Sequence, residues 1–310
     1  MSHEWDVIVA GEVYIDLVLS GFDAWPQLGQ ESFAKQFHRE VGGGTAITAR
    51  GLASLGLRTA VLAAVGCEDG RWVLDRLSSY GVNTSRVSYE ASEPTGFSVV
   101  ATIAADRAFL SYAGANRLFA DALRAAVETS QFTEFRHLHL AYAPSLDEAS
   151  GLFDNIRANG CTISLDTGWH PSWLDDPRAV DAIRRVDLYF PNEMEARRLT
   201  RKSEPDEILE EFDRMGIRQA ALKLGPNGSA LLSNGTVIFA DVPAVNPIDT
   251  TGAGDCFDAG FLASWLSGEE PSECLSAGNI CGALSTEHYG GLSGFPTRQE
   301  LRLRMERIKK

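Results

Sequence analysis

The chain has 310 residues and is acidic, with 42 Asp and Glu residues against 28 Lys and Arg residues and a formal net charge of −14. This charge repels phosphate backbones and anionic lipid surfaces, so the composition argues against a nucleic-acid or membrane partner. The length is sufficient to bury a large core, and we expect a single domain over residues 1–310.

The five cysteines indicate a reducing compartment. They are odd in number and contain no Cys-x-x-Cys pair, which argues against a disulfide framework and against a zinc site. The first six residues are acidic and lead directly into a short apolar run, unlike a signal peptide, and no apolar run reaches bilayer-spanning length. We therefore expect a cytoplasmic protein.

Short apolar runs alternate with helical segments along the chain. Strands are predicted at residues 7–11 and 59–65, and between them Thr45 is expected to cap a helix over residues 46–55 that ends at Gly56. Further helices are predicted near 70–80, 120–129, 146–158, 177–184 and 205–215, with strands near 136–141, 161–166, 187–190 and 219–224. This order predicts a three-layer α/β/α fold around a mostly parallel sheet, with ligands at the carboxyl ends of the strands.

Residues 29–41 and 96–112 break the alternation. The second segment alternates as a hairpin around Ala105-Asp106-Arg107, and we expect both to belong to a small β-flap, or lid, formed by segments near 12–41 and 93–116. Asn234-Gly235 predicts a second hairpin with a type I′ turn. The C-terminal third returns to helices, at 253–266, 273–288 and 297–308.

The most informative motif is Asp249-Thr250-Thr251-Gly252-Ala253-Gly254-Asp255, which precedes an apolar helix. Its glycines free backbone N–H groups at a helix N-terminus, where the helix dipole favours an anion. A carboxylate beside such a phosphate cradle is unfavourable for binding alone but suited to taking a proton from an attacking hydroxyl. The motif predicts an anion hole at Gly252, Ala253 and Gly254 and a catalytic base at Asp255; a simple helix-capping turn is the alternative.

With this motif the chain resembles the PfkB/ribokinase family of carbohydrate kinases, whose signature D-T-x-G-A-G-D it matches in full. Other family features follow in the expected order over almost the whole chain: residues 11–16, Gly42-Gly43, Gly66 with Asp69-Gly70, Asn192 with Glu195, and Gly225 with Gly228. The resemblance implies a ribokinase-like fold and transfer of a phosphoryl group from ATP to a hydroxyl of a sugar or sugar-like small molecule.

Two segments are expected to bind the acceptor together with Asp255. Asp16 follows the first strand, where its carboxylate can accept hydrogen bonds from two hydroxyls, and the resemblance implies the same role; a solvated loop aspartate is the alternative. Gly42 and Gly43 precede the first long helix, where missing side chains let a ligand approach the backbone.

Two further segments are expected to serve the nucleotide. Asn192 and Glu195 lie a turn apart at a predicted helix start, and the resemblance implies that they serve Mg²⁺ and the phosphates; a capping arrangement is the alternative. Gly225 and Gly228 resemble the family's nucleotide loop, and Lys223 either supplies positive charge to a phosphate or points into solvent.

The resemblance implies two more ligand contacts. Asn279 would line the adenine pocket, and Asp249 and Thr251 would help to hold a monovalent cation such as K⁺. Family members often form homodimers through their flaps, so a homodimer through the lid is expected here as well.

The sequence departs from the family at two places. Ile47 replaces a usual asparagine, which removes one polar contact, and Asp166-Thr167-Gly168-Trp169-His170 replaces an Asp-x-Asn triplet. Trp169 could stack on a sugar or base, although packing is the commoner role of such residues. His137 and His139 would share one face of a strand, but without a third ligand a packed or solvent-facing pair is favoured over a metal site.

Three functions remain open on these residues. The first is a sugar kinase with in-line transfer to the acceptor hydroxyl. The second is a nucleoside or vitamin-precursor kinase of the same fold, and the third is a sugar-sensing protein without catalytic activity. The presence of Asp255 beside the predicted anion hole favours an enzyme over the third.

Overall fold

The computed structural model describes residues 3–25, 27–103, 106–128, 135–147 and 149–308. The strands are Trp5–Gly11 (β1), Tyr14–Ser20 (β2), Gln36–Gly42 (β3), Thr59–Gly66 (β4), Asn83–Glu90 (β5), Gly96–Ile103 (β6), Asp106–Tyr112 (β7), Phe135–Ala141 (β8), Thr162–Asp166 (β9), Leu188–Tyr189 (β10), Gln219–Lys223 (β11), Ser229–Ser233 (β12) and Thr236–Ala240 (β13). The α-helices are Gly44–Ser54 (α1), Gly70–Ser79 (α2), Phe119–Glu128 (α3), Ala149–Ala158 (α4), Pro171–Leu174 (α5), Arg178–Ile183 (α6), Glu193–Thr200 (α7), Pro205–Arg214 (α8), Ala253–Leu266 (α9), Pro271–Ser285 (α10) and Arg298–Ile308 (α11).

The large sheet has the strand order β13-β12-β11-β10-β9-β8-β1-β4-β5 within the described ranges. The pairs from β5 across to β11 are parallel, whereas β11–β12 and β12–β13 are antiparallel. The register places Gly11, Ala141 and Asp166 in one row at the carboxyl ends of β1, β8 and β9. Polar residues that follow these strands therefore converge on one edge of the sheet.

The sheet is buried on both faces. Along β1, Val7 and Val9 pack into one hydrophobic cluster with α1, α9 and α10, whereas Ile8 and Ala10 pack into a second cluster with α3 and α4. Successive side chains of a strand point to opposite faces, so this division shows helices on each side of the sheet. The predicted three-layer α/β/α fold is confirmed.

Close contacts through glycine hold α9 against its neighbours. A Cβ atom on Gly51 of α1 would lie 2.6 Å from the Cβ of Ala259, and one on Gly260 would lie 2.6 Å from the carbonyl oxygen of Ala277 in α10. Missing side chains at Gly51 and Gly260 therefore let α1 and α10 approach α9 directly. This packing fixes the first turn of α9 at the strand ends.

A second sheet of four strands, in the order β3-β2-β6-β7, lies outside the large one. The β2–β3 and β6–β7 pairs are antiparallel and β2–β6 is parallel. These strands come from the two segments that were predicted to form a flap. Of the tip Ala105-Asp106-Arg107, residues 104 and 105 lie outside the described residues.

Side-chain hydrogen bonds tie the base of the small sheet to the large one. Thr95 accepts a hydrogen bond from the Gly66 N–H at 2.9 Å, donates its hydroxyl proton to Asp69 Oδ1, and donates its own N–H to the same oxygen at 3.1 Å. Asn116 accepts from the Val13 N–H at 3.1 Å and donates to the Val13 carbonyl at 3.0 Å. The Gly66 and Asp69 pattern found in the sequence therefore anchors the root of the flap.

Most predicted elements are present within a few residues, but the start of α1 is different. Its N-cap is Gly43, with φ of +88°, and Thr45 lies inside the helix with its hydroxyl buried and without a hydrogen-bond partner among the described residues. The prediction that Thr45 caps this helix is therefore wrong, because glycine supplies the turn that a capping side chain would otherwise support. Gly56, with φ of +85°, follows the helix as predicted.

The hairpin predicted at Asn234-Gly235 joins β12 and β13. Both residues have positive φ, +48° and +80°, as a type I′ turn requires. Within the described ranges, helices long and apolar enough to cross a bilayer are absent.

Candidate active site

The first turn of α9 lies at the carboxyl ends of the parallel strands. Gly252 is the N-cap residue, with φ of +73°, and no side chain caps the helix. The Ala253 N–H donates to the Thr250 carbonyl at 3.3 Å, and the first intrahelical bond runs from the Cys256 N–H to the Gly252 carbonyl at 2.9 Å. The amides of this turn and the helix dipole together favour an anion.

Asp255, in the same turn, lies against the start of α1. A Cβ atom on Gly44 would lie 2.8 Å from Asp255 Oδ1, so only glycine leaves room for this carboxylate. The Thr48 hydroxyl donates to the backbone carbonyl of Asp255 at 3.3 Å. The sequence thus brings α1 and the first turn of α9 together around one carboxyl group.

A cavity of about 400 Å³ opens beside Asp255. It is bounded by the ends of β1, β8 and β9 and by the root of the flap, and its lining includes Glu12, Tyr14, Arg117, Tyr142, Trp169 and His170. Polar and aromatic side chains surrounding a concave space of this size are typical of a small-molecule site.

The pKa of Asp255 is raised to about 7. Burial is the main cause, the nearby Asp166 carboxylate adds to it, and the Lys223 ammonium opposes it. A carboxyl group with this pKa is poised to exchange a proton at neutral pH. The observation fits the base predicted at Asp255.

We expect Asp255→Asn to stabilise the unliganded protein at high pH. The folded-state pKa lies above the ordinary value of 3.8, so ionisation of Asp255 destabilises the fold; this cost is absent below about pH 4 and complete above about pH 7. Urea unfolding at pH 8 should show a gain of about 2–4 kcal/mol for the variant. The gain should shrink at pH 5, and a difference that does not change with pH would contradict the assignment.

Asp16 lies on β2, two residues after Tyr14, which lines the cavity. A Cβ atom on Gly42 would lie 2.0 Å from Asp16 Oδ2, so the two residues predicted to bind the acceptor are adjacent. Burial raises the pKa of Asp16 to about 6, with further contributions from the Asp249 and Glu40 carboxylates. No Lys or Arg of the described residues forms an ion pair with Asp16, and a partly buried carboxylate of this kind is suited to accept hydrogen bonds from hydroxyl groups.

Asn192 and Glu195 form a reciprocal capping box at the start of α7. The Asn192 side chain accepts from the Glu195 N–H at 3.0 Å, and the Glu195 carboxylate accepts from the Asn192 N–H at 2.9 Å and from its side-chain amide at 2.6 Å. The alternative capping arrangement is therefore present. Burial, together with Asp166, raises the pKa of Glu195 to about 7, which leaves a carboxylate that a cation would stabilise.

Three predicted nucleotide residues lie around β11, β13 and α10. Gly225 and Gly228, both with positive φ, frame the short 3₁₀ turn Gly225–Asn227 that follows β11. Asn279 is buried on α10 and donates to the Ala240 carbonyl at 3.0 Å and to the Asp241 carbonyl at 3.2 Å. Asn279 therefore fixes the segment that follows β13.

Asp249 organises the loop before α9. Its Oδ1 accepts from the Thr251 N–H at 2.9 Å and from the Thr251 hydroxyl at 2.6 Å, while its Oδ2 accepts from the Gly290 N–H at 2.9 Å. The two predicted cation ligands are therefore adjacent.

The comparison with known families decides the assignment. The description "pfkB family carbohydrate kinase" matches residues 6–298. The chain belongs to this family. It is an ATP-dependent carbohydrate kinase with a sugar-like acceptor, as the sequence motifs implied.

Relatives of this carbohydrate kinase act on several acceptors. It is 29% identical to 2-dehydro-3-deoxygluconokinase of Bacillus subtilis over 279 residues, 86% of each chain. It is 28% identical to a nucleoside kinase of Methanothermobacter thermautotrophicus over 97% of this chain and 95% of that protein. The structure of Arabidopsis thaliana ribokinase with ribose and ATP matches with a TM-score of 0.80, over 98% of both chains at 25% identity.

The two departures from the family pattern have structural consequences in this kinase. Ile47 is 3% exposed, and its Cδ1 would lie 2.7 Å from a Cβ on Gly252 and 2.5 Å from one on Gly291. Ile47 therefore packs against the turn that precedes α9. Trp169 lines the cavity, is 53% exposed, and carries the Arg198 guanidinium 5.6 Å from its ring centre.

His137 and His139 are buried and do not face solvent. Ser164 lies between them, 2.7 Å from His137 Nε2 and 2.8 Å from His139 Nδ1, and burial lowers the pKa of both histidines. Neutral imidazoles joined through a hydroxyl form a packed polar pair in the core. The favoured prediction of a packed pair agrees with this geometry.

Sequence reasoning missed Asp258 and the role of Asp166. Lys223 Nζ lies 2.7 Å from Asp166 Oδ2 and 3.1 Å from Asp258 Oδ1, and carboxylate oxygens of Asp166, Asp255 and Asp258 lie within 4.8 Å of one another. Asp258 is three residues after Asp255 on one helix face, a spacing that could have identified it.

We expect Gly42→Ala to weaken acceptor binding selectively. The new methyl group would displace the Asp16 carboxylate, because the two would be separated by only 2.0 Å. Steady-state kinetics should show an acceptor KM raised about tenfold or more, with the KM for ATP nearly unchanged. Gly151→Ala, whose added methyl meets nothing within 4 Å, is the control. An equal rise in both KM values would argue against a role of Asp16 in acceptor binding.

Proposed function

We propose that the acceptor binds in the cavity beside Asp255 and that this carboxylate removes the proton from its attacking hydroxyl. The position of Asp255 carries the proposal: one residue provides both a cavity-facing carboxylate and a backbone position in the first turn of α9. The hydroxyl oxygen bonds to the γ-phosphorus, its proton passes to Asp255, and the bond to the ADP leaving oxygen breaks.

The amides of Gly252, Ala253 and Gly254 stabilise the transferring phosphoryl group in this proposal, and the Ala253 N–H exchanges its long 3.3 Å bond to the Thr250 carbonyl for a phosphoryl oxygen. The absence of a side-chain cap at Gly252 supports it, because a capping oxygen would compete with the phosphoryl oxygens for the same N–H groups.

Asp16, Gly42 and Gly43 hold the other hydroxyls of the acceptor. The support is the contact between Asp16 and Gly42, which places the carboxylate directly before the start of α1. The small sheet acts as a lid in this proposal, because Tyr14 and Arg117 at its root line the same cavity.

The nucleotide is bound as its Mg²⁺ complex, with Asn192 and Glu195 serving the metal. The buried carboxylate of Glu195, with its pKa near 7, fits a group whose counter-ion arrives with the nucleotide. When bound, Mg²⁺ would neutralise part of the negative charge of the nucleotide phosphates. The Lys223 ammonium, 3.4 Å from the position of a Cβ on Gly254, lies near this turn but is paired with the Asp166 and Asp258 carboxylates.

Gly225, Gly228 and Asn279 form the nucleoside end of the site in this proposal. Gly225 leaves the turn after β11 open, because a Cβ there would meet nothing within 4 Å. Gly228 lets this turn approach the Ala240 carbonyl, which would lie 2.1 Å from a Cβ, and Asn279 donates to the same carbonyl. Asp249 and Thr251 hold a monovalent cation, supported by their joint position directly before the anion-binding turn.

The acceptor class is tested by ADP formation. A coupled assay with ATP and Mg²⁺ is run on D-ribose, D-fructose, fructose 6-phosphate, 2-dehydro-3-deoxygluconate, ribose 1-phosphate and inosine. We expect the highest kcat/KM on a sugar or sugar derivative. Preference for inosine would favour the nucleoside kinase, which the exposed Trp169 in the cavity also supports. Absence of ADP formation with every member would contradict the proposal.

A homodimer through the flap is also proposed. Phe37 and Leu110 on the small sheet are 64% and 71% exposed, and a second copy would cover such residues and the strand edges. Light scattering after size exclusion should give about twice the monomer mass of 33.6 kDa.

A cytoplasmic location is proposed as well. Five free cysteines, four of them buried, support a reducing compartment.

A further inference from the structure

Lys223 lies where three parts of the site meet. Its backbone N–H donates to the Pro191 carbonyl at 2.9 Å, and a strand bridge pairs it with Asn192. Its ammonium contacts Asp166 on β9 and Asp258 on α9. The Lys223 side chain is only 11% exposed. One buried cation therefore joins the acceptor side, the catalytic helix and the nucleotide side.

Asp166 connects Lys223 to the acceptor cavity. Residues 166–170 all line the cavity, and Asp166 starts this segment. One oxygen of Asp166 accepts from the Gly168 N–H at 2.8 Å, and the other accepts from Lys223 at 2.7 Å. Fixing the Asp166 carboxylate therefore fixes the loop that faces the acceptor.

Asp258 connects the same ammonium to the catalytic helix. It lies one turn after Asp255 on α9, is fully buried, and places its two oxygens 3.1 and 3.3 Å from Lys223 Nζ. Residues three apart share a helix face, so a shift of Asp258 would also shift Asp255. The Lys223 bridge therefore sets the position of the acceptor loop relative to the base.

The carboxylates around Lys223 keep its side-chain amine protonated. Three carboxylates, those of Asp166, Asp255 and Asp258, lie within 4.8 Å of one another. Burial acts to lower the pKa of Lys223, but the Asp166 and Asp258 carboxylates outweigh it and raise that pKa, so the amine stays protonated. A cation that belongs to the chain therefore contacts two of the three carboxylates of this cluster, those of Asp166 and Asp258.

We infer that Lys223 is a positioning residue: by bridging Asp166 and Asp258 it holds the acceptor-binding segment 166–170 against α9, so that the acceptor hydroxyl meets Asp255. This inference rests on the proposed function of Asp255. Two other roles predict different kinetics. A buried ion pair that serves only the fold would affect stability alone, and a phosphate contact would affect ATP.

Lys223→Met and the double variant Lys223→Met/Asp258→Asn test the inference. The single variant leaves two buried carboxylates without a cation and should lower Tm by about 5 °C or more. The double variant removes one of those charges and should recover most of this Tm. It still lacks the bridge, so its acceptor KM should stay about tenfold or more above wild type and its kcat about tenfold or more below.

The acceptor in these measurements is the compound that gives the highest kcat/KM in the ADP-formation assay described above for sugars and inosine. The KM for ATP is determined in parallel. We expect the KM for ATP to stay within about threefold of wild type. Recovery of kcat and acceptor KM together with Tm in the double variant would show that Lys223 serves only the fold. A rise in the KM for ATP without a rise in acceptor KM would show a phosphate contact. Either result overturns the inference.

Asp255→Asn separates this inference from the proposed function. If Asp255→Asn loses turnover while the Lys223 double variant is kinetically normal, the base assignment stands and only the bridge is rejected. If Asp255→Asn keeps turnover, the base assignment is rejected. Arg185→Met, which removes an exposed ion pair with Asp154, is the surface control.

Discussion

Asp255→Asn should lower kcat by about a thousandfold while both substrates still bind, because the amide cannot accept the hydroxyl proton. Asparagine has almost the same volume as aspartate, so Gly44 and the first turn of α9 should keep their places. A rapid-quench measurement of the first turnover isolates the chemical step from product release. Calorimetric titration with a non-hydrolysable ATP analogue reports nucleotide binding independently of turnover.

Asp154→Asn is the matched control for Asp255→Asn. Asp154 is an exposed aspartate on α4 that pairs with Arg185, and its replacement should leave kcat unchanged within error. Turnover of Asp255→Asn within about tenfold of wild type would remove this carboxylate from the role of base. A large loss of nucleotide affinity in the same variant would instead indicate that Asp255 contributes to the phosphate site.

The unliganded site holds more negative charge than its cations balance. Asp16, Asp255 and Glu195 have pKa values raised to between about 6 and 7, so each is held at an energetic cost when ionised. The −14 net charge of the chain makes the surroundings less favourable still. In the proposed function, an acidic kinase binds a nucleotide anion here because the cation arrives with the nucleotide and because the amides of α9 add positive potential.

The sequence predicted the layers of the fold because helix and strand periodicities are local. Apolar runs such as Thr59–Gly66 are buried along their whole length, as expected of a central parallel strand. β5 was missed because Asn83–Glu90 is polar and only partly buried at an edge of the sheet, so no apolar run marks it. Thr45 was misassigned because the glycine before it sets the helix start.

The site was predicted where motifs follow strands and missed where residues act through space. Asp255 and Gly252 were predicted because the glycine turn and the helix adjoin in sequence, and the structure places both in the first turn of α9. The triad of Lys223, Asp166 and Asp258 joins positions 35 and 57 residues apart. The spacing along α9 places Asp258 on the same face as Asp255, but a single sequence gives no sign that Lys223 contacts Asp166 and Asp258. Ile47 was expected to cost a polar contact, but the fold uses it to support the anion-binding turn.

Gly252→Ala should lower kcat/KM for ATP about a hundredfold or more, because this position tolerates no side chain. The residue has φ of +73°, and a methyl group would lie 2.7 Å from Ile47 Cδ1 and 2.9 Å from the Cα of Gly291. Relief of these contacts requires the turn to move away from α1. That movement would carry the amides of Gly252 and Gly254 away from the transferring phosphoryl group.

Gly268→Ala is the control that separates the steric clash of the added methyl group from the cost of a positive φ at alanine. Gly268 follows the other end of α9, has φ of +77°, and would place its methyl in open space. Both variants therefore carry the same left-handed penalty, about 1–2 kcal/mol, and should lose similar Tm from that cause. Only Gly252→Ala should lose activity, because only its methyl displaces the turn. Equal losses of kcat/KM would mean that the conformation of α9 as a whole, rather than the placement of its first amides, governs phosphoryl transfer.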